Sequence, residues 1–211
     1  MANLASCTDH HPLPNRRTVV RACAAGCLAA LGLVMPPLAG AQESGAAATP
    51  TTPAPPPEFA AELPSAQWTG TARMRYFTFN VYDAALWVAP GFSASRYAQS
   101  ALGLQLTYLR SLDGQAIAER SLVEMRRSAS LTPAQEQRWL AAMQDAFPNV
   151  KAGDRITGLH QPGIGARFWF NGMARGTVRD TEFSRLFFGI WLSENTSEPG
   201  LRTALLAKAA P

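Results

Sequence analysis

The chain is poor in the residues from which much protein chemistry is built. Its 211 residues hold three cysteines and three histidines, and the placement of these is lopsided. Cys7, Cys23 and Cys27 all lie near the start, as do His10 and His11, which leaves His160 as the one later imidazole. A disulfide framework, a thiol nucleophile and cysteine-ligated zinc are therefore excluded downstream of Cys27. One histidine does not assemble a histidine-rich metal site, so no metal and no cofactor is expected. Charge is sparse as well, at 16% of residues, and no basic run exceeds the short cluster around Arg126-Arg127. Nucleic-acid binding loses its main support. Long apolar runs are missing too. The uncharged stretch Ala22 to Met35 has about 14 residues, short of the roughly 20 that cross a bilayer as a helix.

What the first forty residues do contain is an ordered address. Asn15-Arg16-Arg17-Thr18-Val19-Val20-Arg21 is basic, the apolar stretch follows, and Ala39-Gly40-Ala41 offers a small-residue cleavage site before Gln42. This pattern predicts a cleavable signal peptide over 1–41 and an exported, periplasmic protein, by the general or the twin-arginine route. A lipoprotein signal at Ala25-Gly26-Cys27 is a weaker match. Cleavage would remove every cysteine, and it would lower the net charge from +4 to +2 by taking Arg16, Arg17, Arg21 and Asp9. No transmembrane helix is expected after cleavage. Residues 42–64, rich in Ala, Pro and Thr, read as a disordered spacer, and the folded domain is expected over 65–211.

Within that domain the apolar period alternates between two and 3.6. Trp68 to Tyr76 and Phe77 to Val88 read as consecutive strands, and Leu102, Leu104, Leu106 and Tyr108 alternate with less apolar residues. Asp113 is placed to cap a helix through about Ser128, and Thr132-Pro133-Ala134-Gln135 reads as a capping box. Two more strands, Arg155 to His160 and Ala166 to Phe170, lead through Asn171-Gly172 into a third, Ala174 to Val178. Asp180 caps a helix whose Phe183, Leu186, Phe187, Ile190 and Trp191 share one face, and a last helix starts near Pro199. Strands that arrive in pairs, with helices clustered between, predict an α+β fold: an antiparallel sheet covered by helices.

Catalytic constellations are few. There is no G-x-S-x-G elbow and no H-E-x-x-H, and His160 has no serine close by in sequence. Gly163-Ile164-Gly165 reads as a turn, and Asp154 after Gly153 as turn chemistry. No catalytic residue is assigned. The more informative feature is Arg73 and Arg75, two apart on one face of a strand. Two guanidinium forks there suit a carboxylate or enolate; the alternative is that they face solvent or pair with Asp83. Tyr82 and Tyr108 would add phenolic donors beside them, unless they only pack.

Gly70-Thr71-Ala72-Arg73-Met74-Arg75 followed by Val81-Tyr82-Asp83-Ala84-Ala85-Leu86-Trp87 resembles bacterial chalcone isomerase-like proteins. So do Leu106-Thr107-Tyr108-Leu109-Arg110, Phe147-Pro148-Asn149-Val150, Pro162-Gly163-Ile164-Gly165, Phe170-Asn171-Gly172, and the run from Phe183 to Leu192. The resemblance implies an open-faced β-sandwich: a large antiparallel sheet with helices packed on one face and a ligand cleft between. In plant chalcone isomerases an arginine assists intramolecular conjugate addition, with Tyr and Thr hydroxyls polarising the enone. Related members of the fold bind fatty acids through Arg and Tyr. The resemblance thus implies Arg73 or Arg75 in the arginine role and Tyr82 as the strand hydroxyl. The leading expectation is a binder of a small apolar carboxylic acid, fatty-acid-like, in the cleft. The alternatives are an isomerase closing a chalcone-like ring and a non-catalytic interaction module of the cell envelope. Oligomeric state is left open.

Overall fold

The computed structural model describes residues 52–210, and the expected signal peptide and most of the expected spacer lie outside them. Six strands form one sheet: β1 Gln67–Tyr76, β2 Phe79–Val88, β3 Leu102–Tyr108, β4 Arg155–Gln161, β5 Gly165–Phe170 and β6 Met173–Val178. They lie in chain order, each antiparallel to the next. The α+β expectation is met. Period-two alternation decides which way each strand faces. Leu102, Leu104, Leu106 and Tyr108 of β3 stand opposite Val88, Leu86, Ala84 and Tyr82 of β2, and all eight belong to one core. Asn171 and Gly172 both adopt positive φ, as the tight β5–β6 hairpin requires.

Four helices cover that face: α2 Gly114–Met125, α3 Pro133–Ala146, α4 Thr181–Leu192 and α5 Pro199–Leu205, numbered after a short α1 described below. α4 lies on β4 and β5, α3 on β6, and α5 on β1 and β2, while α2 rests on α3 and α4. Gly70 marks a close approach, since a Cβ there would sit 2.1 Å from the Ala204 carbonyl oxygen of α5. Each long helix starts at a side-chain cap. Asp113 accepts from Ala116 N–H at 3.0 Å, and Thr132 and Gln135 form a reciprocal capping box. Asp180 does more. One carboxylate oxygen accepts from Glu182 and Phe183 N–H, and the other accepts from Trp139 Nε1 and Arg138 at 2.9 Å each. The start of α4 is thereby tied to α3. Between helices and sheet, Phe147, Phe168, Phe183, Phe187 and Phe188 make mostly edge-to-face contacts, each adding about 0.5–1.5 kcal/mol beyond the area buried.

The other face of the sheet corrects the spacer boundary. The chain before Pro64 is folded onto the sheet, with α1 Pro57–Ala60 as a single turn. Phe59 is fully buried and Leu63 nearly so, against Trp87, Leu159 and Trp169. Glu58 accepts from the Thr157 hydroxyl at 2.8 Å, Glu62 pairs with Arg167 and Gln161, and Trp87 Nε1 donates to the Pro53 carbonyl at 3.2 Å. Gly103 makes room, because a Cβ there would lie 2.5 Å from the Phe59 ring. Composition concealed this. Two apolar residues spaced i, i+4 suffice when a Trp-lined sheet face is already waiting. Among the described residues no helix is long and apolar enough to cross a membrane.

Candidate functional site

A cavity of about 420 Å³ opens between the helical layer and the β1–β2 end of the sheet. Its floor comes from Met74 on β1, Val81 and Tyr82 on β2, and Ile190 and Trp191 at the end of α4. α2 supplies one wall through Ala116, Ile117, Arg120, Ser121 and Glu124. The β3–α2 connection brings Arg110, Leu112 and Asp113 to the rim, while Ser197 and Glu198 close the side before α5. The period that makes α2 amphipathic also makes the cavity. Ala118, Leu122 and Met125 are driven into the core, so the adjoining stripe Ile117, Ser121, Glu124 borders it.

Tyr82 is the polar group of the floor. Its hydroxyl oxygen accepts a hydrogen bond from Trp191 Nε1 at 3.0 Å, and its ring meets Tyr108 edge-on at 6.0 Å. Burial pushes the phenol up to about 12 against the opposing hydrogen bond from Trp191, with Glu198 and Glu124 adding to the rise. It is a neutral hydrogen-bond group at any ordinary pH. Glu124 is 8% exposed, paired with Arg120 one turn back and with Arg127 Nε at 3.7 Å, while the Ser121 hydroxyl donates to the Ile117 carbonyl. Arg110 differs from these. It is exposed at the rim with its guanidinium 4.9 Å from the centre of the Phe79 ring, and among the described residues it meets no carboxylate. The site combines an apolar wall, a neutral phenol and an unpaired cation at the opening. Such an arrangement offers apolar surface to a hydrocarbon and a cation to an anionic head.

The residues expected from sequence are divided by the sheet. Tyr82 is in the floor. Tyr108 lies behind it, almost fully buried, its phenol pushed well up by burial and by Tyr82. Arg73 and Arg75 are not in the cleft. Met74 between them faces the cavity, so alternation turns both arginines to the opposite face. There Arg73 grips Asp83, its cross-strand partner, with Nε and Nη2 at 2.6 and 2.7 Å from the two carboxylate oxygens. Arg75 Nε donates to Asn80 at 3.2 Å. Of the two readings of Arg73, the structure contains the pairing with Asp83. That hydrogen bond holds the Asp83 carboxyl below its usual range.

Arg110, Arg120 and Trp191 also line the cavity, and sequence spacing does not single them out. Arg110 carried a signal, since it closes the Leu106-Thr107-Tyr108-Leu109-Arg110 segment two residues beyond β3 and shortly before the Asp113 cap, where a loop turns toward the helices.

Asp154 is turn chemistry, accepting from Lys151 N–H at 2.8 Å and from Asn171 at 3.0 Å. His160 does meet a serine, across 24 residues. Its Nε2 donates to the Ala98 carbonyl at 3.0 Å, and Nδ1 lies 2.6 Å from the Ser184 hydroxyl, whose one proton is shared between Nδ1 and the Gly165 carbonyl at 2.9 Å. Both residues are buried away from the cavity, and this pair is a core tie between β4 and α4.

Comparison with known proteins agrees with this architecture. Residues 65–207 match a family model described as chalcone isomerase-like. An uncharacterized protein of Haemophilus influenzae is 28% identical over 152 residues, covering 71% of this chain and 73% of that one. A crystal structure of a fatty-acid binding protein of Arabidopsis thaliana superposes with a TM-score of 0.54 at 12% identity, over 68% of this chain and 87% of the other.

Proposed function

Starting from the fact that the chain belongs to the chalcone isomerase-like family, we propose that it binds a small apolar carboxylic acid in the cavity between α2, α4 and the β1–β2 end of the sheet. The observation that carries this reading is Arg110, a cation that meets no carboxylate among the described residues, at the mouth of an apolar-walled cavity of about 420 Å³. That volume falls within the roughly 300–1,000 Å³ usual for small-molecule sites. The hydrocarbon part replaces water against Met74, Ile117, Ile190 and Trp191, and the carboxylate meets Arg110 at the rim. Tyr82 offers its hydroxyl within the floor. A fatty acid suits this arrangement, and the structural neighbour that binds one supports the choice of ligand class. The N-terminal pattern supports export, with the mature chain beginning at Gln42.

Titration of the purified protein with a fluorescent fatty acid tests the reading, alongside mass spectrometry of lipid extracted from it. Arg110→Ala is expected to weaken binding by about ten- to a hundredfold, the worth of one charge-assisted hydrogen-bonded contact. Arg73→Ala, which disturbs only the pair with Asp83 on the far face, is expected to leave it unchanged. Equal losses in the two variants, or an empty protein that fails to bind the probe, would contradict the proposal. The conjugate-addition alternative has less support, because both arginines read for it stand on the other side of the sheet. No turnover of hydroxychalcones above the spontaneous rate is expected.

A further inference from the structure

The β1–β2 hairpin closes through Phe77-Thr78, between the paired residues Tyr76 and Phe79. Two-residue hairpin loops favour Asn-Gly or similar pairs because the backbone must enter positive φ. Here Phe77 takes that role at φ +51, a costly conformation for a bulky side chain. Its ring is 83% exposed, and Tyr76 and Phe79 beside it are also more than half exposed. A tip built for stability would carry the opposite residues. The three rings form an apolar knob at the lip of the cavity, since Tyr76 also lines its wall.

The knob is collared by positive charge. Arg75 donates only to Asn80, and Arg110 lies over the Phe79 ring; among the described residues neither meets a carboxylate. Two of the acidic groups nearby are engaged, Asp83 by Arg73 and Asp113 by the start of α2, while Glu198 borders the cavity on the side before α5. Aromatic rings flanked by arginines are the chemistry of a membrane–water interface, with rings at headgroup depth and guanidinium groups on lipid phosphates.

We propose that this hairpin tip is a docking element for an anionic lipid bilayer, with Phe77 and Phe79 inserting among the headgroups while Arg75 and Arg110 face phosphate. The placement brings the cavity mouth to the surface in which an apolar acid dissolves, and to that extent the proposal rests on the functional reading above.

The test uses the full chain and vesicles of equal parts phosphatidylglycerol and phosphatidylcholine. In Phe77→Trp, lipids brominated high on the acyl chain are expected to quench emission beyond the wild-type level. Ile164→Trp, in the β4–β5 turn at the other end of the sheet, should show no such excess. Phe77→Ser/Phe79→Ser should lower vesicle affinity about tenfold or more, and Arg75→Gln about fivefold at low salt. Both changes touch exposed side chains, so circular dichroism should be unaltered. Absence of excess quenching in Phe77→Trp overturns the proposal, even if the chain sediments with vesicles through another segment. A concentration-dependent dimer that Phe77→Ser/Phe79→Ser abolishes, without quenching, overturns it in favour of a second copy. Binding of dissolved fatty acid is measured separately. Its absence would refute the ligand reading while leaving tip insertion standing or falling on the quenching alone.

Discussion

A single residue's parity decides what Arg73 and Arg75 can do. Both are on β1, and both are excluded from the cavity because Met74 between them enters it. Sequence spacing put the two arginines together correctly but carried no information about which face the helices would cover. His160 shows the same gap from the other side: Ser184, its partner, is invisible along the chain and adjacent in space. Burial in this pair pushes the imidazole below its ordinary value of 6.5, which makes a pH prediction. As pH falls below about 6.5 the unfolded chain takes up a proton that the folded chain resists, so stability declines with pH from there. Asp83, Asp154 and Asp180 are also held low, but their contributions are lost only as pH falls through the lower carboxylate range. Urea unfolding between pH 7 and pH 5 should therefore show a falling midpoint that flattens in His160→Gln. An equal slope in both would refute the assignment.

At the scale of elements, periodicity served well where one face meets a core and poorly where a segment is short. The six strands, the three capped helices and the Asn171-Gly172 hairpin are legible because alternation, caps and turn residues agree. α1 was not, since its Pro-rich surroundings resemble a solvated linker and its anchoring comes from a tertiary surface. Gly103 is the key to that contact. Gly103→Val places atoms where the Phe59 ring lies and should detach residues 53–63 from β3 and β4 while leaving the cavity face intact. Hydrogen exchange and limited proteolysis should then show the segment opening, with fatty-acid affinity unchanged. Unaltered protection of the segment would mean that Phe59 does not hold it.

For the whole molecule, the sheet separates two surfaces with different tasks. The helical face holds the aromatic core and the cavity, and the opposite face carries the N-terminal segment and the Arg73–Asp83 pair. Fold and family were readable from the chain, whereas the cavity was readable only as a strand, with Tyr82 in its lining and Arg73 and Arg75 on the opposite face. The central claim is that an apolar acid lies in this cavity with its carboxylate at Arg110. Its most direct test is photo-crosslinking with a fatty acid carrying a diazirine near its methyl end, followed by peptide mass spectrometry. The account predicts adducts on the floor and wall, at Met74, Tyr82, Ile117 or Trp191, lost together with binding in Arg110→Ala. Adducts on the opposite face, around Phe59 or Trp169, would contradict it.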